Sequence, residues 1–438
     1  MPSIFIEDNP LYHNKVKWVM QIISQYAHTT YEYVLDKNQS NISVGSSTAY
    51  DIKIDDSFFE KLKNERTKWK EILPDGPIYK NECGEESLLE TIFYLVNCIQ
   101  EMNPDPEDID HYGRFKYSAS LQFHYGIIEE NFVGHLIDQL ILQFPILSLD
   151  GNLPQVKSKF YISHDIDILL SGWKIEGYLA LKQFKWGLLL KVIWDTIRRK
   201  PFYNNIDQVI ELDKKNGITP CFYWLASHGK DPNGIMNADY TIEDLNIQCQ
   251  KVKSHGFESG IHKSSFETTF HQEIAHFPFK VEHNRYHFLK FQTHSAWKEI
   301  EAAGLKTDAS LGFAEHIGFR NSYGLPFVPF DVENDRPYSF VEIPLHVMDV
   351  TLMQYMGLNA ETADKRLRMF TEKNKNQCIL SVLWHNNSFS NYQKDLNTLF
   401  EGYVNCFKVQ DLYNLGVNKI FEDHQINDIQ NRVTEKRI

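Results

Sequence analysis

Apolar and polar positions alternate along this chain in two rhythms, and the change between them divides it. Between Lys15 and Ala27 apolar residues recur at helical spacing. A second helical stripe (Leu88, Leu89, Ile92, Phe93, Val96) runs from Ser87 to Gln100, behind a serine suited to a helix start. Tyr31–Leu35, Asn41–Gly45 and Tyr50–Ile54 read as short strands, so residues 1–147 are expected to form a smaller α/β unit. The turn-rich Ser148-Leu-Asp-Gly-Asn-Leu-Pro154 marks a boundary, and 148–438 is expected to be a second unit. There, strands at 160–169, 218–226, 257–262 and 379–384 are interleaved with helices at 207–216, 242–255 and 296–303. That interval predicts a parallel sheet or barrel with crossover helices.

Residues 172–200 depart from this regularity. Leu179, Leu181, Phe184, Leu188, Leu190, Val192 and Ile193 are interspersed with lysines, and the segment ends in Arg198-Arg199-Lys200. Seven basic residues face only Glu176 and Asp195, which predicts a basic amphipathic helix. It has two readings: a helix packed on the core with a solvated lysine face, or a lid or surface contact with anionic lipid or a lipid-linked glycan, centred on 174–200.

Composition narrows the classes. The chain has 438 residues with 42% hydrophobic and 24% charged, enough for a large core. A net charge of -13 argues against a nucleic-acid partner. High aromatic content, 13%, fits an aromatic core or sugar-stacking surfaces. Neither a secretory leader pattern nor an uncharged apolar run long enough to span a membrane is visible. The six cysteines lack C-x-x-C spacing, which points away from a zinc-thiolate site and towards a reducing, cytoplasmic setting.

The chemistry concentrates at predicted strand ends. Phe160-Tyr-Ile-Ser-His-Asp-Ile-Asp167 leads an apolar run into Asp165 and Asp167, whose i, i+2 spacing puts both on one face of a strand and His164 on the other. Paired carboxylates share a proton or a cation, although Asp is also common in turns and caps. His262 and His385 likewise end predicted strands, where parallel α/β folds keep their reactive groups. An Asp with His at such ends is a candidate divalent-metal site, zinc or a similar ion. The second Asp would be a general base and a late His an acid, together a metal-assisted hydrolase. His228, His255, His271, His276, His283, His294 and His316 are expected at the surface or in ordinary hydrogen bonds.

The order and wording of these segments, over about residues 158–400, resemble the polysaccharide deacetylases of carbohydrate esterase family four, the NodB-homology domain. Gly318-Phe-Arg320 and Glu342-Ile-Pro-Leu-His-Val-Met-Asp349 resemble a bacterial subgroup with an extra N-terminal domain, associated with surface polysaccharide or glycan metabolism. The resemblance implies a distorted (β/α) barrel of NodB-homology type, preceded by the smaller α/β domain. It assigns Asp165 as base, Asp167 and His262 as metal ligands, Arg285 as the residue orienting the base, and His385 as acid. Asp308 lies in its fourth motif with Arg320 behind it, and these two are read as substrate contacts or as a structural ion pair. Trp384 is either core or the wall of a sugar pocket; Glu342 and Asp349 are read as rim contacts. One departure stands out. The family's second histidine, four residues after His262, is replaced by Phe266 in His262-Lys-Ser-Ser-Phe266, and His287 is the preferred substitute ligand over His164. The implied substrate is an N-acetylated or O-acetylated sugar in a polysaccharide or its precursor. The alternatives are a glycan-binding barrel without turnover, or hydrolysis of another carbon–nitrogen or glycosidic bond.

Overall fold

In the computed structural model, which describes residues 1–200 and 202–425, the first part of the chain is built around a four-stranded parallel sheet. Its strands are β1 (Ser3–Ile6), β2 (Glu32–Tyr33), β3 (Ile42–Gly45) and β4 (Ile52–Lys53), in the order β2-β1-β3-β4. The accompanying helices are α1 (His13–Tyr26), α2 (Asp56–Lys63), α3 (Trp69–Ile72), α4 (Leu88–Val96), α5 (Leu121–His124) and α6 (Phe132–Gln143). The expected helix over 87–100 ends early because Cys98 turns into the left-handed region at φ 49°. A 3-10 turn, Ile99–Glu101, follows it.

The larger sheet holds nine strands among the described residues, and every pairing in it is parallel. They are β5 (Lys159–Ile166), β6 (Cys221–Trp224), β7 (Glu258–Lys263), β8 (His283–Tyr286) and β9 (Thr307–Asp308). After a small hairpin, β10 (Phe330–Asp331) and β11 (Arg336–Pro337), come β12 (Val341–Glu342), β13 (Val347–Met348), β14 (Ile379–Leu383) and β15 (Tyr413–Asn414). The order is β12-β9-β8-β7-β6-β5-β14-β13, with β15 beside the start of β5. The ends of this curled sheet are two parts of one segment: β12 pairs with β9, and β13, five residues on, pairs with β14. Between them the Leu345 N–H donates to Leu311 O at 2.9 Å and Ile343 N–H to Asp308 O at 2.8 Å. Gly312 is needed at this seam, since a Cβ there would lie 2.5 Å from Leu345 O. The result is a curled, barrel-like parallel sheet in an α/β chain.

Crossover helices cover it: α7 (Gly172–Lys182), α8 (Trp186–Ile197), α9 (Ile206–Asn216), α10 (Ile242–Ser254), α11 (Phe270–Ile274), α12 (Thr293–Ala302), α13 (Ala360–Lys373), α14 (Lys394–Val409) and α15 (Val417–His424). Local chemistry sets their limits. Thr241 and Asp244 form a capping box at the start of α10, and Gly217 ends α9 at φ 69°. The single helix expected over 172–200 is instead two, α7 and α8, packed side by side. The break falls at Phe184, which sits in the left-handed region at φ 55°. Nor does the hairpin bury an apolar stripe beneath a lysine face, for most of its large apolar side chains are exposed.

The apolar core runs without a break from the first sheet into the second. Polar contacts cross the same junction. Trp18 Nε1–H donates to Val328 O at 2.8 Å. The buried Arg320 forks onto Glu101, with Nε–Oε1 3.0 Å and Nη2–Oε2 2.7 Å. The tail of the expected second unit, 426–438, lies outside the described residues.

Candidate metal centre

The C-terminal ends of β5, β7, β8, β13 and β14 converge, because parallel strands deliver their last residues to one rim of the sheet. β5 brings Asp165, and Asp167 follows one residue past its end. β7 brings His262, β8 brings Arg285 with His287 just beyond, and β14 is followed by His385. The tight approach of β6, β7 and β8 depends on Gly260, where a Cβ would lie 2.6 Å from His283 O and 2.7 Å from the Tyr223 ring.

Asp167, His262 and His287 each offer a ligand atom, and the three atoms lie within 4.8 Å of one another. His262 Nε2 is 3.4 Å from Asp167 Oδ1 and 3.3 Å from Asp165 Oδ2, so both carboxylates face the same side. His287 Nδ1 is 3.6 Å from Asp167 Oδ1 and 3.1 Å from His262 Nε2. Each imidazole is oriented through its other nitrogen: His262 Nδ1 lies 3.0 Å from Arg285 O, and His287 Nε2 lies 2.9 Å from Met236 O. As donors to those carbonyls, both rings leave a lone pair for the shared space. Asp165 Oδ1 and Asp167 Oδ1 are buried with no hydrogen-bond donor among the described residues. Two imidazoles, a carboxylate and an orphaned carboxylate oxygen fit a divalent cation with three protein ligands and an open position.

Electrostatics agree with the geometry. Burial alone would raise the Asp167 carboxyl, but His287, His262 and His385 around it hold it well below the usual carboxylate range. Burial pushes His287 down, favouring neutral imidazole, whereas Asp165 and Asp167 outweigh burial at His262 and push it up. Opposite this cluster His385 Nε2 lies 3.7 Å from Asp167 Oδ2. Its Nδ1 lies 2.7 Å from Asp349 Oδ1, and Asp349 also accepts from the His385 backbone N–H and from Ser388 Oγ. Burial opposes protonation of His385, yet Asp349, then Asp167 and Asp165, carry its pKa up to about 10.

Arg285 is fully buried beneath Asp165. It donates to Ser163 Oγ at 2.8 Å, lies over the Tyr223 ring at 5.2 Å, and makes no ion pair with Asp165. Against the effect of burial, the nearby Asp165 carboxylate helps hold the Arg285 guanidinium above its ordinary pKa.

Three expected site residues lie elsewhere. Asp308 is 1% exposed, accepts from Asn284 and Ser310, and shares a hydrogen bond with the buried Glu342, so it faces the interior and no open pocket. Arg320 pairs with Glu101 and not with Asp308. Trp384 is fully buried against Phe400 and walls no pocket mouth. His164, on the outer face of β5, is held by Trp384 O and Asp213 and cannot reach the cluster. Asp349, read from the sequence only as a rim contact, proves to be the partner of His385. The signal was there in that both follow neighbouring strands, β13 and β14, but a two-residue strand leaves little trace in a sequence.

Residues 6–144 match DUF7033, a family of unknown function. Nothing among the curated proteins matches the chain. A protein assigned as a polysaccharide deacetylase from Mycobacterium smegmatis is similar at 11% identity and a TM-score of 0.38, over 64% of this chain and 95% of that one. A 4-alpha-glucanotransferase from Thermococcus litoralis is similar at 10% identity and a TM-score of 0.27, over 60% of this chain and 38% of that one. No helix among the described residues is long and apolar enough to cross a membrane.

Proposed function

We propose that this chain is a metal-dependent hydrolase that removes acetyl groups, N-linked in the first instance, from a sugar of a polysaccharide or glycan precursor. The observation that carries the reading is one rim with three functions side by side. Asp167, His262 and His287 form a donor set, Asp165 lies next to it with Oδ1 free of any hydrogen bond among the described residues, and His385 faces both with Asp349 behind it. The sugar substrate follows from the motif order around Asp165, His262, Arg285 and His385, which resembles that of the NodB-homology deacetylases.

Asp167, His262 and His287 would hold the cation. When bound, zinc or a similar ion supplies a Lewis acid for the acyl oxygen. The other roles belong to the protein. Asp165 accepts a proton from the attacking water, and the buried Arg285 cation lies close by as a charge complementary to it. His385, held by Asp349 with Nε2–H turned into the site, gives a proton to the departing sugar nitrogen. Asp349 fixes that tautomer and balances the imidazolium charge.

The test pairs metal analysis with acetate release from N-acetylated sugar oligomers. We expect about one equivalent of zinc or a similar ion, lost in Asp167→Ala, and acetate release that follows it. Full activity in Asp167→Ala or after exhaustive chelation would refute the mechanism. Metal retained without acetate release from any N- or O-acetylated sugar would leave a binding barrel or a hydrolase of another bond.

A further inference from the structure

Among the described residues 22 large apolar side chains are exposed, and ten of them lie between Leu170 and Ile197. On α8 they fall at Trp186, Leu190, Ile193, Trp194 and Ile197, the spacing of one helical stripe, and that stripe faces solvent. Phe184, at the tip between the helices, is 76% exposed. All seven basic residues of 172–200 are exposed as well, whereas the two acids, Glu176 and Asp195, are buried. Glu176 accepts from Tyr203 and Gln393, and Asp195 from Tyr392 and from Lys200, the one hairpin cation with an ion pair among the described residues. In a chain of net charge -13 the hairpin therefore presents a locally cationic surface with three tryptophans and a tyrosine in it. Arg198 lies over Trp194 at 4.6 Å and Lys174 over Trp173 at 5.5 Å, so cations and rings occupy one surface.

The hairpin is well rooted. Asp239 accepts from the backbone N–H groups of Leu169, Leu170 and Ser171 at the start of α7. Val192, Phe202 and Tyr203 form a small core with Ile168, Ile175 and Tyr392 on its inner side. Asn386, next to His385, ties both ends down by donating to Ile168 O and Tyr203 O. The outward apolar stripe is thus a property of a docked element beside the rim of Asp167 and His385.

We infer that the α7–α8 hairpin is an interfacial anchor that docks on an anionic phospholipid surface. A solvent-facing apolar stripe, aromatic rings with a polar edge, and six lysines and arginines without an ion pair among the described residues are what such a surface binds: the apolar side chains enter the acyl boundary while the cations meet the headgroups. A second copy of this chain fits less well, because two like-charged faces would meet. Docking does not depend on the hydrolytic reading, but it turns the rim of the candidate site towards the bilayer.

The test is co-sedimentation of the full chain with vesicles of phosphatidylcholine alone and of phosphatidylcholine with about 30% phosphatidylglycerol, read also by tryptophan fluorescence. We expect binding to the anionic vesicles with a blue shift, at least about tenfold weaker binding to the neutral ones, and loss at high salt. Lys182→Gln/Lys185→Gln/Arg198→Gln should weaken it about 100-fold. Phe184→Asp/Trp186→Asp should abolish it with circular dichroism and metal content unchanged. Absence of binding to either vesicle, or binding indifferent to lipid charge, overturns the inference. So does a concentration-dependent dimer that Phe184→Asp/Trp186→Asp dissolves, which would make the face a contact between copies.

Discussion

Replacing His287 probes the point at which this chain departs from the pattern it resembles. The ring supplies one of three donor atoms through Nδ1 and holds Met236 O through Nε2, so a substitution can remove the first role, the second, or both. His287→Ala removes both. Dropping from three protein ligands to two should cost more than losing an orienting partner, which is about 10–100-fold in metal affinity, so a loss beyond about 100-fold is expected. That corresponds to at least about 2.7 kcal/mol. The same variant leaves the half-buried Met236 carbonyl without its donor, a stability cost at the lower end of about 1–3 kcal/mol. His287→Gln separates the two effects, since its amide can still reach Met236 O while the Nδ1 position is lost. The assay is zinc titration against a chromophoric competitor, with thermal unfolding of the metal-free proteins alongside. Both variants should lose the ion, and only the alanine should melt lower without it. An unchanged zinc affinity in His287→Gln would refute the assignment of His287 as the ligand standing in for the histidine that Phe266 replaces.

Asp165→Asn should keep the metal and lose about 10²–10⁴-fold in turnover; a smaller loss by steady-state kinetics removes it as the base. Asp349→Asn should lower kcat with metal content unchanged, and in the metal-free protein bring the His385 pKa down from about 10, as followed by imidazole NMR. The sign follows from a raised histidine: its ion pairs stabilise the metal-free fold fully below pH about 6.5 and cease to do so as pH rises through about 10, and Asp349→Asn should flatten that fall. Glu90 titrates with the same sign but from a different cause, burial in place of ion pairs. It is fully buried, Oε1 accepts from the Asp55 N–H at 2.7 Å, and burial raises its pKa to about 7. The unfolded chain releases this proton first, so stability should fall by up to about 3 kcal/mol between pH about 4.5 and 7. Glu90→Gln should remove that slope in unfolding midpoints measured from pH 5 to 8. Glu101→Ala strands the Arg320 cation in the core and should cost about 3–5 kcal/mol in denaturant unfolding.

What could be read ahead of the structure follows from how each element earns its conformation. β5, β6 and β14 carry aromatic or β-branched runs, β7 is marked only by Ile261 within it and Phe257 just ahead, and α1, α9, α10 and α12 have apolar stripes, so each shows in its own residues. β8 reads His-Asn-Arg-Tyr and β9 is Thr307–Asp308; they are strands only because neighbours pair with them. Asp165, Asp167, His262 and His385 stood out because each closes a legible strand. The bond from His385 to Asp349 and the burial of Asp308 with Glu342 required strand order, which no local pattern encodes. The hairpin misled for a different reason: an apolar stripe on a helix shows that one side differs from the other, not which side meets the protein.

The two-part segment that closes the sheet has a consequence for the order in which the chain can fold. β5 lies inside the sheet between β6 and β14, and the hydrogen bond that joins its own His164 to Trp384 spans 220 residues. During synthesis β5 can pair with β6 early, but its other edge stays open until β14 emerges. β13, which must lie outside β14, cannot settle before then. Contacts of such long sequence separation are slow to form and leave a strand edge able to pair wrongly in the interim. The donors of β5, β7 and β8 can gather well before His385 arrives, so competence to bind an ion should appear earlier in folding than competence to turn over a substrate.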